Sequence, residues 1–145
     1  LHEPHVIELP SGRLLGAIRV HCRKAAPVDT CYTTYSDDGG KTWSMPKSTD
    51  VDGLPPHLFL HSSGAVILSY ACRASEKKSE RAAVSYDGGE TWSDDYVLND
   101  NIPFSDLGYP ATTECADGSL ITVYYQCYPG DDFCSVLQTK WKLEK

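Results

Sequence analysis

The sequence predicts an all-β chain that forms part of a β-propeller, with about three four-stranded antiparallel blades. Two observations carry that expectation. First, nine residues are written almost twice, SDDGGKTWS at 36–44 and SYDGGETWS at 85–93, 49 positions apart. Second, each copy sits inside a longer unit, because Pro4, Pro56 and Pro110 each precede a glycine (Gly12, Gly64, Gly118) by eight residues. A unit near 50 residues holding about four short strands is the signature of a propeller blade, which buries its sheet faces only by stacking on neighbours. The units fall at about 1–52, 53–105 and 106–145, the last incomplete, which is roughly half of a closed ring.

Each unit reads as strands in order. The turn glycines open RLLGAIRV, AVILSYAC and SLITVYYQ, and a polar loop then leads to DTCYTTYS, ERAAVSYD and CSVLQTKW. Short β-branched and aromatic runs bounded by Gly, Pro, Asn and Asp are strand signals, and no window carries helical spacing long enough to compete. In the third unit TKWKLEK stands where the duplicated turn would fall. The chain opens abruptly at LHEPHVIEL, which reads as strand and suggests a piece of a larger ring. Half a propeller exposes two blade faces, so the piece is expected to self-associate or to need the missing blades.

Composition narrows the partners. The net charge is −7, and the densest basic stretch, RASEKKSER, is diluted by two glutamates, so nucleic acid is not an expected partner. Apolar runs are only a few residues long, too short to span a membrane as a helix. The six cysteines form no C-x-x-C pair, which disfavours a zinc site. Cys22 with Cys31, and Cys127 with Cys134, bracket short turns where a disulfide or a pair of small buried thiols would both fit. His57 and His61, four apart in HLFLH, read as structural in the absence of a nearby third ligand.

The duplicated turn explains itself without a substrate. Asp38 and Asp87 can accept hydrogen bonds from backbone amides that a tight turn leaves free, and Ser36, Thr42, Ser85 and Thr91 can bond to the same turn. Gly40 and Gly89 take a backbone conformation that a Cβ resists, and Trp43 and Trp92 pack the turn back onto the sheet. One such turn offers too few oxygens for calcium. The motif resembles the Asp-box, or BNR repeat, found in sialidases (neuraminidases) and other propellers, and here it has a structural role.

Segments between the turns extend the resemblance. EPHVIELPSGRLLGAIR, with Glu3 and Arg19 sixteen residues apart, is similar to the sialidase segment whose glutamate is the general base and whose arginine grips the sugar carboxylate. GYPATTECADGSLITVYYQ resembles the later segment that carries a tyrosine nucleophile, at Tyr109. Arg81, ahead of the second Asp-box, matches a further carboxylate-binding arginine, with Arg73 at the end of SYACR a rival for that role. The chemistry needs these residue types. A carboxylate nucleophile would be repelled by the carboxylate on the anomeric carbon of a sialic acid, whereas a neutral tyrosine deprotonated by a glutamate is not. Arginines grip the sugar carboxylate through paired, charge-assisted hydrogen bonds. Taken singly, Glu3 also fits a strand-end carboxylate, Arg81 a solvated cation and Tyr109 a packed turn aromatic.

The resemblance therefore implies the later half of a six-bladed sialidase-like ring. Its parent would be a retaining exo-glycosidase acting on terminal sialic acid or a related acidic sugar in a glycan. It would need no metal or cofactor, and its setting would be secreted or extracytoplasmic. Some positions depart from the pattern: GYP replaces Tyr-Ser, His2 precedes the glutamate, and YYQ ends a strand where an acidic residue is common. The family's first arginine and acid/base aspartate belong to blades outside this chain, so the 145-residue piece alone is not expected to turn over. The rival reading is a non-catalytic Asp-box propeller that binds glycans or a protein.

Overall fold

The computed structural model describes residues 1–20, 30–74 and 76–144, with Asp94 and Asp95 described by backbone only. Eleven strands form three antiparallel sheets among the described residues. The first contains β1 (His2–Glu8), β2 (Leu14–Val20), β3 (Thr30–Ser36) and β4 (Lys47–Asp52), hydrogen-bonded in chain order. The second repeats that order with β5 (His57–Leu60), β6 (Val66–Cys72), β7 (Ser79–Ser85) and β8 (Ser93–Asn99). The third has three strands where a complete blade has four: β9 (Leu107–Glu114), β10 (Leu120–Gln126) and β11 (Ser135–Trp141). Its last strand runs through TKW, so the Asp-box turn that leads to a fourth strand in the other two sheets is absent there.

The sheets stack as propeller blades, with β1 packed on β5 and β5 on β9. The middle blade shows why. Every residue of β6 (VILSYAC) is buried, because successive side chains point to opposite faces and both faces are covered. Val66, Leu68 and Tyr70 turn toward the first blade, where they join Leu9, Leu15, Ala17, Cys31, Val51, Leu58 and Ala83. Ile67 turns the other way and meets Leu120 and Trp141 of the third blade.

The two Asp-box turns have one geometry. Asp38 Oδ1 accepts from Ser36 Oγ (2.8 Å) and from the N–H groups of Lys41 and Thr42 (both 2.9 Å), and Gly40 N–H donates to Ser36 Oγ (2.9 Å). Asp87 repeats this with Ser85 (2.7 Å), Glu90 (3.1 Å), Thr91 (2.9 Å) and Gly89 N–H to Ser85 Oγ (2.7 Å). The bonds from Thr42 and Thr91, with those from Ser36 and Ser85, hold both carboxylates down to about 2. Their tryptophans differ. Trp92 packs into the core between the first two blades, whereas Trp43 is 41% exposed beside Pro4, Val6, Ile18 and Pro46. Among the described residues no blade is stacked on that face of the first blade.

Of the bracketing cysteines, Cys127 and Cys134 form a disulfide, Cys31 is a buried thiol, and Cys22 lies outside the described residues. His57 accepts the Thr112 N–H (3.3 Å), and His61 bonds Ser63 (2.8 Å) and lies 3.4 Å from Glu114.

Candidate active site

Because neighbouring strands are antiparallel, one end of each blade gathers the starts of the odd strands and the ends of the even ones. The Asp-box turns and the Gly12, Gly64 and Gly118 hairpins lie at the other end. The functional end thus receives Glu3 from the start of β1, Arg19 from the end of β2, Arg73 just beyond β6, and Tyr109 from the start of β9.

Two bulges aim the central pair. On β1 the register runs from His2 opposite Arg19 to His5 opposite Ala17, so Glu3 and Pro4 together face Ile18. On β9 it runs from Gly108 opposite Tyr125 to Ala111 opposite Val123, so Tyr109 and Pro110 together face Tyr124. Such a bulge re-aims a side chain away from the regular pleat. Both residues sit in the left-handed region, with φ of 50° at Glu3 and 51° at Tyr109, although each precedes a proline. That conformation costs on the order of 1–3 kcal/mol per residue and persists only where its surroundings impose it.

The outcome is a compact polar cluster. The Tyr109 hydroxyl donates to Glu3 Oε1, and Arg19 Nη1 donates to both Glu3 oxygens at 3.0 and 3.3 Å. Arg19 Nε is buried with no hydrogen-bond partner among the described residues. Arg73 is anchored by Nε and Nη2 to the Leu107 carbonyl at 3.0 and 2.7 Å, and its charge acts on both Glu3 and Tyr109. Gly108 makes this approach feasible, since a Cβ there would lie 2.9 Å from Ala71 Cβ and 3.4 Å from Arg73 Nη2.

Electrostatics assign the proton. Burial pushes the Glu3 carboxyl up, but the hydrogen bonds from Tyr109 and Arg19 and the charges of Arg19 and Arg73 leave it below its ordinary value. Tyr109 is held above the usual phenol range, first by the hydrogen bond it gives Glu3. The resting pair is a phenol donating to a carboxylate.

The structure brings Glu3, Arg19 and Tyr109 together, while Arg81 stands apart from them. Arg81 lies on β7, the third strand outward, and its Nη1 donates to Ser79 Oγ at 3.1 Å. It lines a separate cleft of about 550 Å³ with Thr49, Asp50, Asp52, Tyr70 and Lys77. Each strand step carries a side chain about 4.8 Å from the inner edge. Arg73 leaves the second strand, as Arg19 does, and therefore reaches the cluster. That shared strand is the sequence signal favouring Arg73. Two residues were not singled out from the sequence: Tyr125, whose ring centroid is 5.9 Å from that of Tyr109, and Asp106, which accepts the Tyr125 hydroxyl.

The chain can now be set beside known proteins. Its fold matches a protein of unknown function from Dyadobacter fermentans at a TM-score of 0.83 and 25% identity, over 98% of this chain and 38% of that one. A GH93 α-L-arabinofuranosidase of Fusarium graminearum, solved with arabinobiose, matches at 0.70 and 19% identity, over 96% of this chain and 44% of that one. An endo-arabinase from Bacteroides thetaiotaomicron matches at 0.71 and 16% identity, over 94% and 55%. The chain thus spans about half or less of the length of these structures. No curated protein sequence matches it. The sequence profile of the BNR repeat-like domain covers residues 2–126. With its paired Asp-box turns and stacked antiparallel blades, the chain belongs to the BNR repeat-like domain family, as part of a β-propeller.

Proposed function

We propose that the complete protein is a retaining exo-glycosidase that removes a terminal acidic sugar, sialic acid or a relative, from a glycan. The observation that carries this reading is the Tyr109 hydroxyl bonded to the Glu3 carboxylate beside two arginines. Carbohydrate as the substrate class is supported by the α-L-arabinofuranosidase, solved with arabinobiose, and the endo-arabinase among the similar structures.

In this mechanism Glu3 takes the phenolic proton as the Tyr109 oxygen bonds to the anomeric carbon and the glycosidic C–O bond breaks. An acid from a blade outside these three protonates the leaving oxygen. Water then attacks the anomeric carbon of the tyrosyl-glycoside and gives a proton to the conjugate base of that acid, the bond from the Tyr109 oxygen to the anomeric carbon breaks, and Glu3 returns the phenolic proton to Tyr109. Arg19 and Arg73 grip the sugar carboxylate through charge-assisted hydrogen bonds. Arg73 takes the role first expected of Arg81, because its charge acts on the reacting pair.

The test is hydrolysis of a fluorogenic sialoside and a fluorogenic arabinoside by the full-length protein and its Tyr109→Phe variant. Sialoside turnover that disappears in the variant is expected. Turnover of the arabinoside alone would retain the glycosidase and overturn the acidic sugar. A folded parent inactive on both, yet retained by an immobilised glycan, would leave a binding propeller.

A further inference from the structure

Tyr109 is 53% exposed, so its ring must be held if the hydroxyl is to stay on Glu3. The internal repeat points to what holds it. Arg19 and Tyr125 each lie seven residues after a turn glycine, Gly12 and Gly118, on the second strand of their blades. Arg19 is opposite His2 and Tyr125 opposite Gly108, the residue just before each bulge. In the first blade this position grips the bulge side chain directly, Arg19 to Glu3. In the third blade the same position sets the Tyr125 ring against Tyr109, with centroids 5.9 Å apart and planes tilted by 38°. Aromatic pairs favour offset and tilted arrangements in this distance range.

Tyr125 is itself pinned. Its hydroxyl donates to the Asp106 carboxylate, and the Asp106 carbonyl accepts the Cys127 N–H at 3.3 Å. Cys127 is tied in turn to Cys134.

We propose that Tyr125 and Asp106 are positioning residues of this site: Asp106 anchors the Tyr125 hydroxyl, and the anchored ring keeps the Tyr109 hydroxyl on Glu3. The inference rests on the reading of Tyr109 and Glu3 as nucleophile and base. A second consequence follows for the proton. Burial, and then the bond to Asp106, push the Tyr125 phenol up to about 12. It therefore stays neutral beside Tyr109 and adds no second negative charge to the site.

The experiment uses the full-length protein with tyrosines ¹³C-labelled on the ring carbon bearing the hydroxyl, with Tyr109 assigned through Tyr109→Phe. Tyr125→Ala, Tyr125→Phe and Asp106→Asn are compared by Tyr109 titration and by kcat and KM. In Tyr125→Ala, kcat falls about 10- to 100-fold with little change in KM, as expected for a misplaced reacting group. The Tyr109 midpoint moves down toward the ordinary phenol value of about 10 as its hydroxyl leaves Glu3. Tyr125→Phe retains the ring but loses its anchor, so its kcat and its Tyr109 midpoint fall between those of the wild type and Tyr125→Ala. Asp106→Asn shifts Tyr109 in the same direction as Tyr125→Ala, by less.

An unchanged Tyr109 titration in folded Tyr125→Ala overturns the proposal. If that variant does not fold, an unchanged titration in Asp106→Asn does so. Should the wild type hydrolyse nothing, the functional reading fails, while the titration still decides whether Tyr125 positions Tyr109.

Discussion

Glu3 and Tyr109 occupy the same position of the repeat in the first and third blades. Each precedes the repeat proline, opens a two-against-one bulge on the inner strand, and has a φ near 50°. The repeat builds one bulge twice and arms it differently, with a carboxylate on one side and a phenol on the other. Pro55 holds the equivalent place in the blade between them and lies against Gly108, within 3.7 Å of where a Cβ would project.

If that pair does the chemistry, Glu3→Gln retains the shape and removes the base. Its kcat should fall about 10²- to 10⁴-fold, the usual worth of a positioned general base, with the fold intact by circular dichroism. A fall of less than tenfold would mean that another group takes the Tyr109 proton.

Gly108 separates stability from binding. At φ 125° an alanine is strained, and its Cβ would press on Ala71 and the Arg73 guanidinium. Gly108→Ala should cost about 2 kcal/mol in urea unfolding and raise KM through the displaced arginine. Unchanged KM in the folded variant would remove Arg73 from the substrate site.

Three blades are stitched at their inner strands by two imidazoles. His5 Nδ1 accepts the Leu58 N–H at 3.1 Å, His57 Nδ1 accepts the Thr112 N–H at 3.3 Å, and the rings lie 4.3 Å apart. Burial pushes both below their usual value, His57 to about 4 with His5 contributing. The folded state then binds fewer protons than the unfolded one below the ordinary value of 6.5. Stability is full above that value and is lost as pH falls toward about 4. The melting temperature should drop by about 5 °C or more between pH 7.5 and pH 5, and by clearly less in His57→Gln. Equal drops in both proteins would place the acid sensitivity elsewhere.

The two Asp-box tryptophans should respond unequally. Trp92→Ala empties a site between two blades and should cost about 3 kcal/mol, whereas Trp43→Ala on the open face should cost about 1 kcal/mol or less in the 145-residue chain. In a longer protein with another blade on that face the two costs should converge. Denaturant titration of both variants in both lengths makes the comparison.

The repeat, the strands and the two Asp-box turns are legible in the residues alone. Those depend on local period and on turn residues whose hydrogen bonds close within a few positions, as in Ser36 to Thr42. Glu3, Arg19 and Tyr109 were nominated through the resemblance of their segments to those of sialidases. Tertiary structure alone decided which arginine joins them. Arg73 and Arg81 are eight residues apart in sequence, but the first follows the second strand of its blade and the second lies within the third, one step farther from the inner edge. The bulges at Glu3 and Tyr109, and the Tyr125–Asp106 anchor behind Tyr109, were likewise decided by how strands pair and blades stack. A one-residue change in register redirects a side chain to another face, and only the assembled sheets set that register.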